Sequence, residues 1–188
     1  MSKSTKRLDR EAWIAAAIDT LAREGIESVR VEPLARKLGV TKGSFYWHFK
    51  DRSALLTAIL DYWEKVGTQD VIEFVETSGG NVESRLLHLC DKAGAILGVE
   101  VEAALRTWAT HDDLAAIAVS RVDTKRMDLL RDIFAEICPE PSEAEARSWL
   151  FYSLFSAEVL ISDKARKSPR GELIRKCVEL LARPDKNP

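Results

Sequence analysis

The chain has 188 residues, of which 46% are apolar and 31% charged, and its formal net charge is −2 at pH 7. This length supports one or two small domains with a real core, and no apolar run approaches the roughly 18 residues that a membrane-spanning helix needs. The basic N-terminus lacks the apolar stretch of a secretory signal, and three widely spaced cysteines form neither a disulfide framework nor a metal-ligand pattern. We therefore expect a globular cytoplasmic protein with buried thiols, no metal, no cofactor and no membrane association.

The charge is unevenly distributed along the chain. Residues 1–52 carry 11 basic and 7 acidic side chains, a balance of +4, whereas the remainder carries 17 basic and 23 acidic side chains, a balance of −6. A basic head on an acidic body is expected when only one end of a protein meets a polyanion.

Helical periodicity and end signals predict two helices in the first part of the chain. The first covers about 10–24, between an Asp9 N-cap and a Gly25 end. The second covers about 31–38 and ends at Gly39, because glycine adopts positive φ at no steric cost and lets the chain turn sharply.

The next predicted helix is short and follows Thr41, whose hydroxyl we expect to accept a backbone hydrogen bond from the first turn. Phe45 and Phe49 are four residues apart and can face inward together, whereas the three residues between them cannot all follow. A short aromatic helix is often only part of a core, and periodicity alone leaves that alternative open. Charge, close approach and hydrogen-bonding groups are offered by Lys42, Gly43, Ser44, Tyr46, Trp47 and His48. With no carboxylate in its first turn, this helix is suited to lie in a DNA groove.

The rest of the chain is also predicted to be helical. A long helix begins after Asp51, and the Gly-containing stretch 77–81 is the clearest loop. Ser142 and Glu145 are predicted to form a capping box. Further helices are predicted over about 82–97, 101–108, 113–137, 142–162 and 172–183. Because no segment has the pattern of a β-hairpin, the predicted fold class is all-α with about nine helices in two parts.

One part of the sequence carries a specific resemblance. The pattern Leu34-Ala35, Leu38-Gly39-Val40-Thr41, Phe45-Tyr46-Trp47-His48-Phe49 and Leu55-Leu56 resembles the DNA-binding domain of the TetR family of transcriptional regulators. The resemblance covers residues 8 to about 65 by motif, and beyond them only length and helical character. It implies a helix-turn-helix domain at 8–67 and a helical ligand-binding and dimerisation domain at 68–188.

The resemblance implies DNA contacts at particular positions. These are Thr41, Lys42, Gly43, Ser44, Tyr46, Trp47, His48 and Arg52. We expect Lys42 to read guanine acceptors and Tyr46 and His48 to contact phosphates. Arg52 stands where most family members have Lys, so the implied phosphate contact keeps its charge but changes its geometry.

For the second domain, the resemblance implies a cavity that binds an unidentified small molecule. Occupancy of the cavity would move the long fourth helix and change the spacing of the DNA-binding heads. Candidate lining residues are Trp63, Val66, Leu86, Cys90, Trp108, Met127, Trp149 and Tyr152. An aromatic side chain at helical spacing is more often part of a core than of a pocket, so an ordinary core is the alternative for each of them.

The last two predicted helices indicate a homodimer. Small and apolar residues fall on one face of each helix, which allows close approach of a second copy, although both helices can instead pack on their own domain. The candidate interface residues are Leu150, Ser153, Ala157, Ile161, Ile174, Cys177, Val178 and Leu181. A two-fold dimer on a pseudo-palindromic operator in double-stranded DNA is the usual arrangement, because one helix-turn-helix covers only half a site. The resemblance points to the same pair of helices.

The function predicted from the sequence is a homodimeric transcriptional repressor that a small molecule releases from its operator. Whether it represses or activates stays open, because polarity depends on where the operator lies. A protein-interaction adaptor with a vestigial DNA-binding head is a further alternative. An enzyme is not supported, because the sequence has no nucleophile elbow, phosphate loop or paired-histidine metal motif.

Overall fold

The computed structural model describes residues 9–160 and 168–184, with the side chains of 93–96 and 155–160 outside the description. Within these residues the chain forms ten α-helices and no strand. They are α1 (Arg10–Glu24), α2 (Val31–Lys37), α3 (Lys42–Tyr46), α4 (Arg52–Glu64), α5 (Asp70–Ser78), α6 (Val82–Ile96), α7 (Gly98–Ala109), α8 (Asp113–Ala135), α9 (Pro141–Leu160) and α10 (Arg170–Leu181). The all-α prediction is confirmed, and the predicted number of helices is reached when α4 and α5 are counted as one interrupted helix.

Local signals in the sequence place several helix ends correctly. Asp9 caps α1 by accepting a 2.8 Å hydrogen bond from the Ala12 backbone N–H, and α1 ends at Gly25 with a φ of 81°. Asp51 accepts a 2.9 Å hydrogen bond from the backbone N–H of Ala54 in the first turn of α4. These ends depend on neighbours three or four residues away, which is why the sequence predicts them.

Two local predictions need correction. The long fourth helix is interrupted by a π-helical segment, Lys65–Gln69, which separates α4 from α5. The helix α9 begins at Pro141, so Ser142 lies inside its first turn. Ser142 and Glu145 therefore do not form the predicted capping box, because Ser142 is not the N-cap residue, and the Glu145 carboxylate instead accepts a 3.2 Å hydrogen bond from Arg131.

The chain divides into two compact units. The first comprises the described residues up to Glu64 together with Glu100–Val119, and the second comprises Lys65–Val99 and the described residues from Ser120 onward. The predicted division into 8–67 and 68–188 differs in two places: it put 65–67 in the first domain and 100–119 in the second, whereas the structure groups each with the other unit. The reason is tertiary, since the Trp63 indole N–H donates a 3.0 Å hydrogen bond to Glu102 on α7.

The first unit is built around the apolar faces of α1, α2 and α4. Trp13, Leu21, Leu34 and Ile59 are at most 1% exposed. On α7, the buried residues Val101, Leu105 and Trp108 share one face at helical spacing.

The second unit has its own apolar core. Its fully buried side chains include Leu86, Ile133, Phe134, Phe151 and Val178. The Phe134 and Phe151 rings meet edge to face at 6.4 Å between centroids, a favoured aromatic arrangement. No helix among the described residues is long and apolar enough to span a bilayer.

Candidate nucleic-acid interface

The short helix α3 is anchored by two aromatic residues. Phe45 is completely buried and Phe49 is 3% exposed. The Phe45 ring meets Trp13 of α1 edge to face and stacks on Phe49, with centroid separations of 5.3 Å in both cases. A five-residue helix is not stable alone, so these contacts fix its position on α1.

The opposite face of α3 is turned to solvent. Tyr46 is 54% exposed and Trp47 is 80% exposed. Thr41, Lys42 and Gly43 are exposed as well, whereas Ser44 and His48 are half-buried. The structure therefore brings the predicted α3 contact residues together on one segment, and the prediction that Phe45 and Phe49 face inward is confirmed.

The turn before α3 agrees in part with the prediction. Gly39 has a φ of 70°, as its place in a sharp turn requires. Thr41 occupies the N-cap, but its side chain makes no capping hydrogen bond within the described residues. The prediction that the Thr41 hydroxyl accepts a capping hydrogen bond is thus wrong. The Ser44 N–H instead donates to the Thr41 backbone carbonyl at 3.0 Å.

Lys42 has a partner that sequence reasoning missed. Its ammonium group donates to the carboxylate of Glu32, which lies in the first turn of α2. This hydrogen bond raises the pKa of Lys42 and lowers the pKa of Glu32. The sequence showed only an acidic residue at a helix start, because the two residues are ten positions apart and their proximity depends on the fold.

Arg52 is held inside the first unit. Its guanidinium donates to the backbone carbonyls of Val29 at 2.7 Å and Ile26 at 2.9 Å. These bonds tie the start of α4 to the 3₁₀ turn Ile26–Ser28. The phosphate contact expected of Arg52 stays a prediction, and its positioning role was not visible in the sequence.

The candidate effector-binding residues do not form one cluster. Trp63 and Trp108 belong to the first unit, whereas the other six belong to the second. Leu86 and Met127 are core residues, and Val66, Cys90 and Tyr152 are half-buried. Trp149 is 62% exposed, so the expectation that it lines a cavity is not supported.

A cavity of about 640 Å³ lies within the first unit. Trp108 contributes to its wall together with Leu21, Leu56 and His111. Arg52 also borders it. The cavity therefore contains one of the predicted lining residues, Trp108. Part of its wall comes from residues 100–112, which the sequence assigned to the ligand-binding domain, and the rest comes from the predicted DNA-binding domain.

The second unit contains a polar cluster against the π-helical segment. The Arg126 guanidinium donates to the Thr68 hydroxyl at 3.0 Å and to the Gly67 carbonyl at 3.1 Å. Tyr152 donates to Asp123 at 2.6 Å and lies 3.4 Å from Arg126. Thr68 is 1% exposed, so these bonds satisfy polar groups that would be costly to bury alone.

The predicted dimer residues fall into different environments. Leu150 is 60% exposed and Ser153 is also exposed. Ile174 and Leu181 pack against the core of their own unit, and Val178 is completely buried in it. The expectation that Val178 contacts a second copy is therefore not supported, since its side chain is already covered within its own unit. Cys177 is half-buried, and Ala157 and Ile161 lie outside the described side chains.

Other apolar side chains are exposed on the same two helices. On α9, Trp149 adjoins Leu150. On α10, Leu173 is 46% exposed and Leu180 is 54% exposed. Their separation of seven residues places Leu173 and Leu180 on one face of α10.

These features define the class of protein: over the residues that the structure describes, it is all-helical, with an N-terminal helix-turn-helix whose second helix presents polar and aromatic side chains to solvent. Residues 14–59 match the family model described as bacterial regulatory proteins, tetR family. This N-terminal segment is therefore a DNA-binding domain of the TetR type, the family of bacterial transcriptional regulators that its sequence resembles.

Among curated relatives, the class D tetracycline repressor of Escherichia coli is 43% identical over 53 residues, which are 28% of this chain and 24% of the repressor. The regulator SrpR of Pseudomonas putida is 37% identical over 51 residues, 27% of this chain and 24% of SrpR. The alignments thus span about a quarter of the length of these relatives.

Solved structures share the fold over nearly the whole chain. AibR in complex with isovaleryl coenzyme A and operator DNA superimposes with a TM-score of 0.70 at 19% identity, covering 96% of this chain and 100% of AibR. Reduced NemR of E. coli gives a TM-score of 0.70 at 17% identity, covering 94% and 98%. At these identities the likeness shows the fold alone.

Proposed function

We propose that the protein is a homodimeric, sequence-specific DNA-binding repressor of the cytoplasm that a small-molecule effector releases from its operator. The observation that carries this proposal is the opposed exposure of adjacent residues on α3. Phe45 is completely buried, whereas Tyr46 and Trp47 are 54% and 80% exposed. Large aromatic side chains are left in water on a helix whose position is fixed by its neighbours, and DNA contact gives them a partner.

The roles on α3 follow from chemistry. Lys42 donates to guanine acceptors in the major groove, and Tyr46 and His48 contact phosphates and set the register. Trp47 packs its ring on sugar or on a thymine methyl group. Gly43 lets the backbone approach the duplex, because it carries no side chain at the exposed start of the helix.

The second unit is the proposed effector-binding unit. Leu86, Cys90 and Met127 supply apolar contacts, and Arg126 with Tyr152 supplies polar groups that can orient a ligand. Because AibR, which shares the fold, was solved with isovaleryl coenzyme A, acyl-coenzyme A thioesters are the first ligands to test. A ligand that binds the free protein better than the DNA-bound protein lowers operator affinity by linkage.

The test is selection of bound sequences from a random duplex library. We expect enrichment of a pseudo-palindrome whose half-sites are separated by about one helical turn or a multiple of it. The selected duplex then serves as the operator in binding titrations. Absence of any enriched sequence would contradict the proposal and would favour the adaptor alternative.

Two variants assign the roles within α3. Tyr46→Ala should weaken binding to operator and unrelated duplex alike, whereas Lys42→Ala should also reduce the preference for operator. If both variants bind operator as tightly as the wild type, α3 is not the DNA-reading helix. Transcription in vitro from a promoter that overlaps the operator separates repression from activation.

A further inference from the structure

The acidic side chain that contacts the DNA-reading helix is placed where it affects DNA binding. Glu32 on α2 and Lys42 on α3 form an ion pair whose side chains are 57% and 50% exposed. The helix α3 has no acidic residue in its first turn. Glu32 therefore brings a negative charge to a surface that is otherwise suited to a polyanion.

Both members of the pair are charged at neutral pH. The hydrogen bond from Lys42 and a second one from its own backbone N–H lower the pKa of Glu32. The pKa of Lys42 is raised by its hydrogen bond to Glu32 and by the nearby Tyr46. The carboxylate also lies in the first turn of α2, where the helix dipole favours an anion.

The ion pair between Glu32 and Lys42 is expected to contribute little to the stability of the fold. Exposed ion pairs contribute little to folding, because the charges remain solvated and the long side chains lose freedom. For DNA binding the pair matters in another way, since non-specific affinity comes from cations that displace counterions from phosphates. A lysine that is already paired gains less from a phosphate than a free lysine does.

At a base edge, pairing with Glu32 does not weaken the contact of Lys42 in the same way. Lys42 has three N–H donors, so it can keep one bond to Glu32 and give another to a guanine acceptor. The carboxylate then fixes the direction of a flexible side chain, which otherwise reaches several phosphates with equal ease.

We propose that Glu32 is a specificity-determining, positioning residue that acts through Lys42: it withholds the lysine from the phosphate backbone and directs it to a base edge at the operator. This inference rests on the proposed function, because it requires a sequence-specific interface at α3. It adds that the two helices of the helix-turn-helix share one base-reading unit.

The experiment measures dissociation constants for the selected operator and for a shuffled duplex over a range of salt concentrations. It uses the wild type, Glu32→Gln, Lys42→Ala and the double variant. Glu27→Gln is the matched control, because it removes the same charge from an exposed position in the same unit. Thermal unfolding checks that each variant folds.

We expect Glu32→Gln to tighten binding to the shuffled duplex about tenfold and to steepen its salt dependence by about one counterion. Operator affinity should change less, so the preference for operator falls by about the same factor. In the Lys42→Ala background, Glu32→Gln should act no differently from Glu27→Gln.

Other outcomes overturn the inference in distinguishable ways. If Glu32→Gln behaves like Glu27→Gln in the presence of Lys42, the residue has no positioning role. If its effect persists without Lys42, Glu32 contacts DNA directly and does not act through the lysine. If the wild type binds both duplexes equally, the proposed function fails and this inference fails with it.

Discussion

At the scale of single residues, the candidate DNA-binding site depends on the burial of one aromatic side chain and the exposure of another close to it in sequence. Phe45 is completely buried against Trp13 and Phe49, whereas Trp47, two residues later, is 80% exposed. The two positions point about 200° apart around a helix. One side chain therefore serves the fold and the other is free for contact with DNA.

Replacing Phe45 or Trp47 by Ala should distinguish a residue that stabilises the fold from a residue that contacts DNA. Loss of a completely buried aromatic ring is expected to lower the free energy of unfolding by about 3–5 kcal/mol. Trp47→Ala should change it by less than about 0.5 kcal/mol, as exposed substitutions do, while weakening DNA binding. Denaturant unfolding and operator titration of both variants provide the measurement. Equal destabilisation by the two substitutions would show that α3 is not packed as described.

At the scale of elements, exposed charges connect the helices of the first unit. Asp19 on α1 accepts hydrogen bonds from Lys37 on α2 at 2.7 Å and from Arg23 at 2.6 Å. Hydrogen bonding to Lys37, followed by that to Arg23, lowers the pKa of Asp19 from 3.8 to about 2. The bond between Asp19 and Lys37 thus links α1 to the end of α2, just before the turn that leads to α3.

This shift predicts how stability depends on pH. Because the folded-state pKa lies below the unfolded value, the stabilisation is complete above about pH 4 and is lost as the pH falls through about 2. Asp19→Asn should lower the melting temperature at pH 7, and its difference from the wild type should vanish near pH 2. The effect should be small and should shrink in high salt, since the carboxylate is solvent-exposed.

Glu24→Gln is the control for this prediction, because it removes a carboxylate of α1 that lies outside the Asp19 pair. Melting curves of both variants from pH 7 to pH 2 are compared with the wild type. A difference for Asp19→Asn that stays constant over this range would mean that the ion pair does not stabilise the fold.

At the scale of the whole molecule, we propose that the exposed apolar residues of α9 and α10 form the interface of the proposed homodimer. Trp149 and Leu150 are each at least 60% exposed, and Leu173 and Leu180 are about half-exposed. Apolar side chains concentrated on two helices are typical of an interface. A dimer also matches the need for two helix-turn-helix units on one operator.

Leu150→Glu should therefore convert a dimer into a monomer and reduce operator affinity, because it places a charge in an apolar interface. Sedimentation equilibrium and operator titration measure the two effects. Ile117→Glu is the matched control, since Ile117 is a β-branched apolar residue of similar exposure, 62%, on α8 in the first unit. A dimer that survives Leu150→Glu but not Ile117→Glu would place the interface on α8.

Local rules in the sequence determined the helical fold, most helix ends and the orientation of α3. Asp9, Gly25 and Asp51 act on groups within four residues, and the spacing of Phe45 and Phe49 alone puts both on one side of a helix. Gly39 needs only its own φ to make the turn. Such features are readable without a structure because each depends on a short stretch of chain.

Only the tertiary structure decided whether a given side chain is buried or exposed and which partner it contacts. Only the packing of α10 shows that Val178 is buried while Leu180 is exposed. Only the folded chain brings the Val29 carbonyl to Arg52 and Glu32 to Lys42. The physical reason is common to all three: a charge or an apolar group accepts any suitable partner, and the partner is chosen by contacts between residues that are distant in sequence.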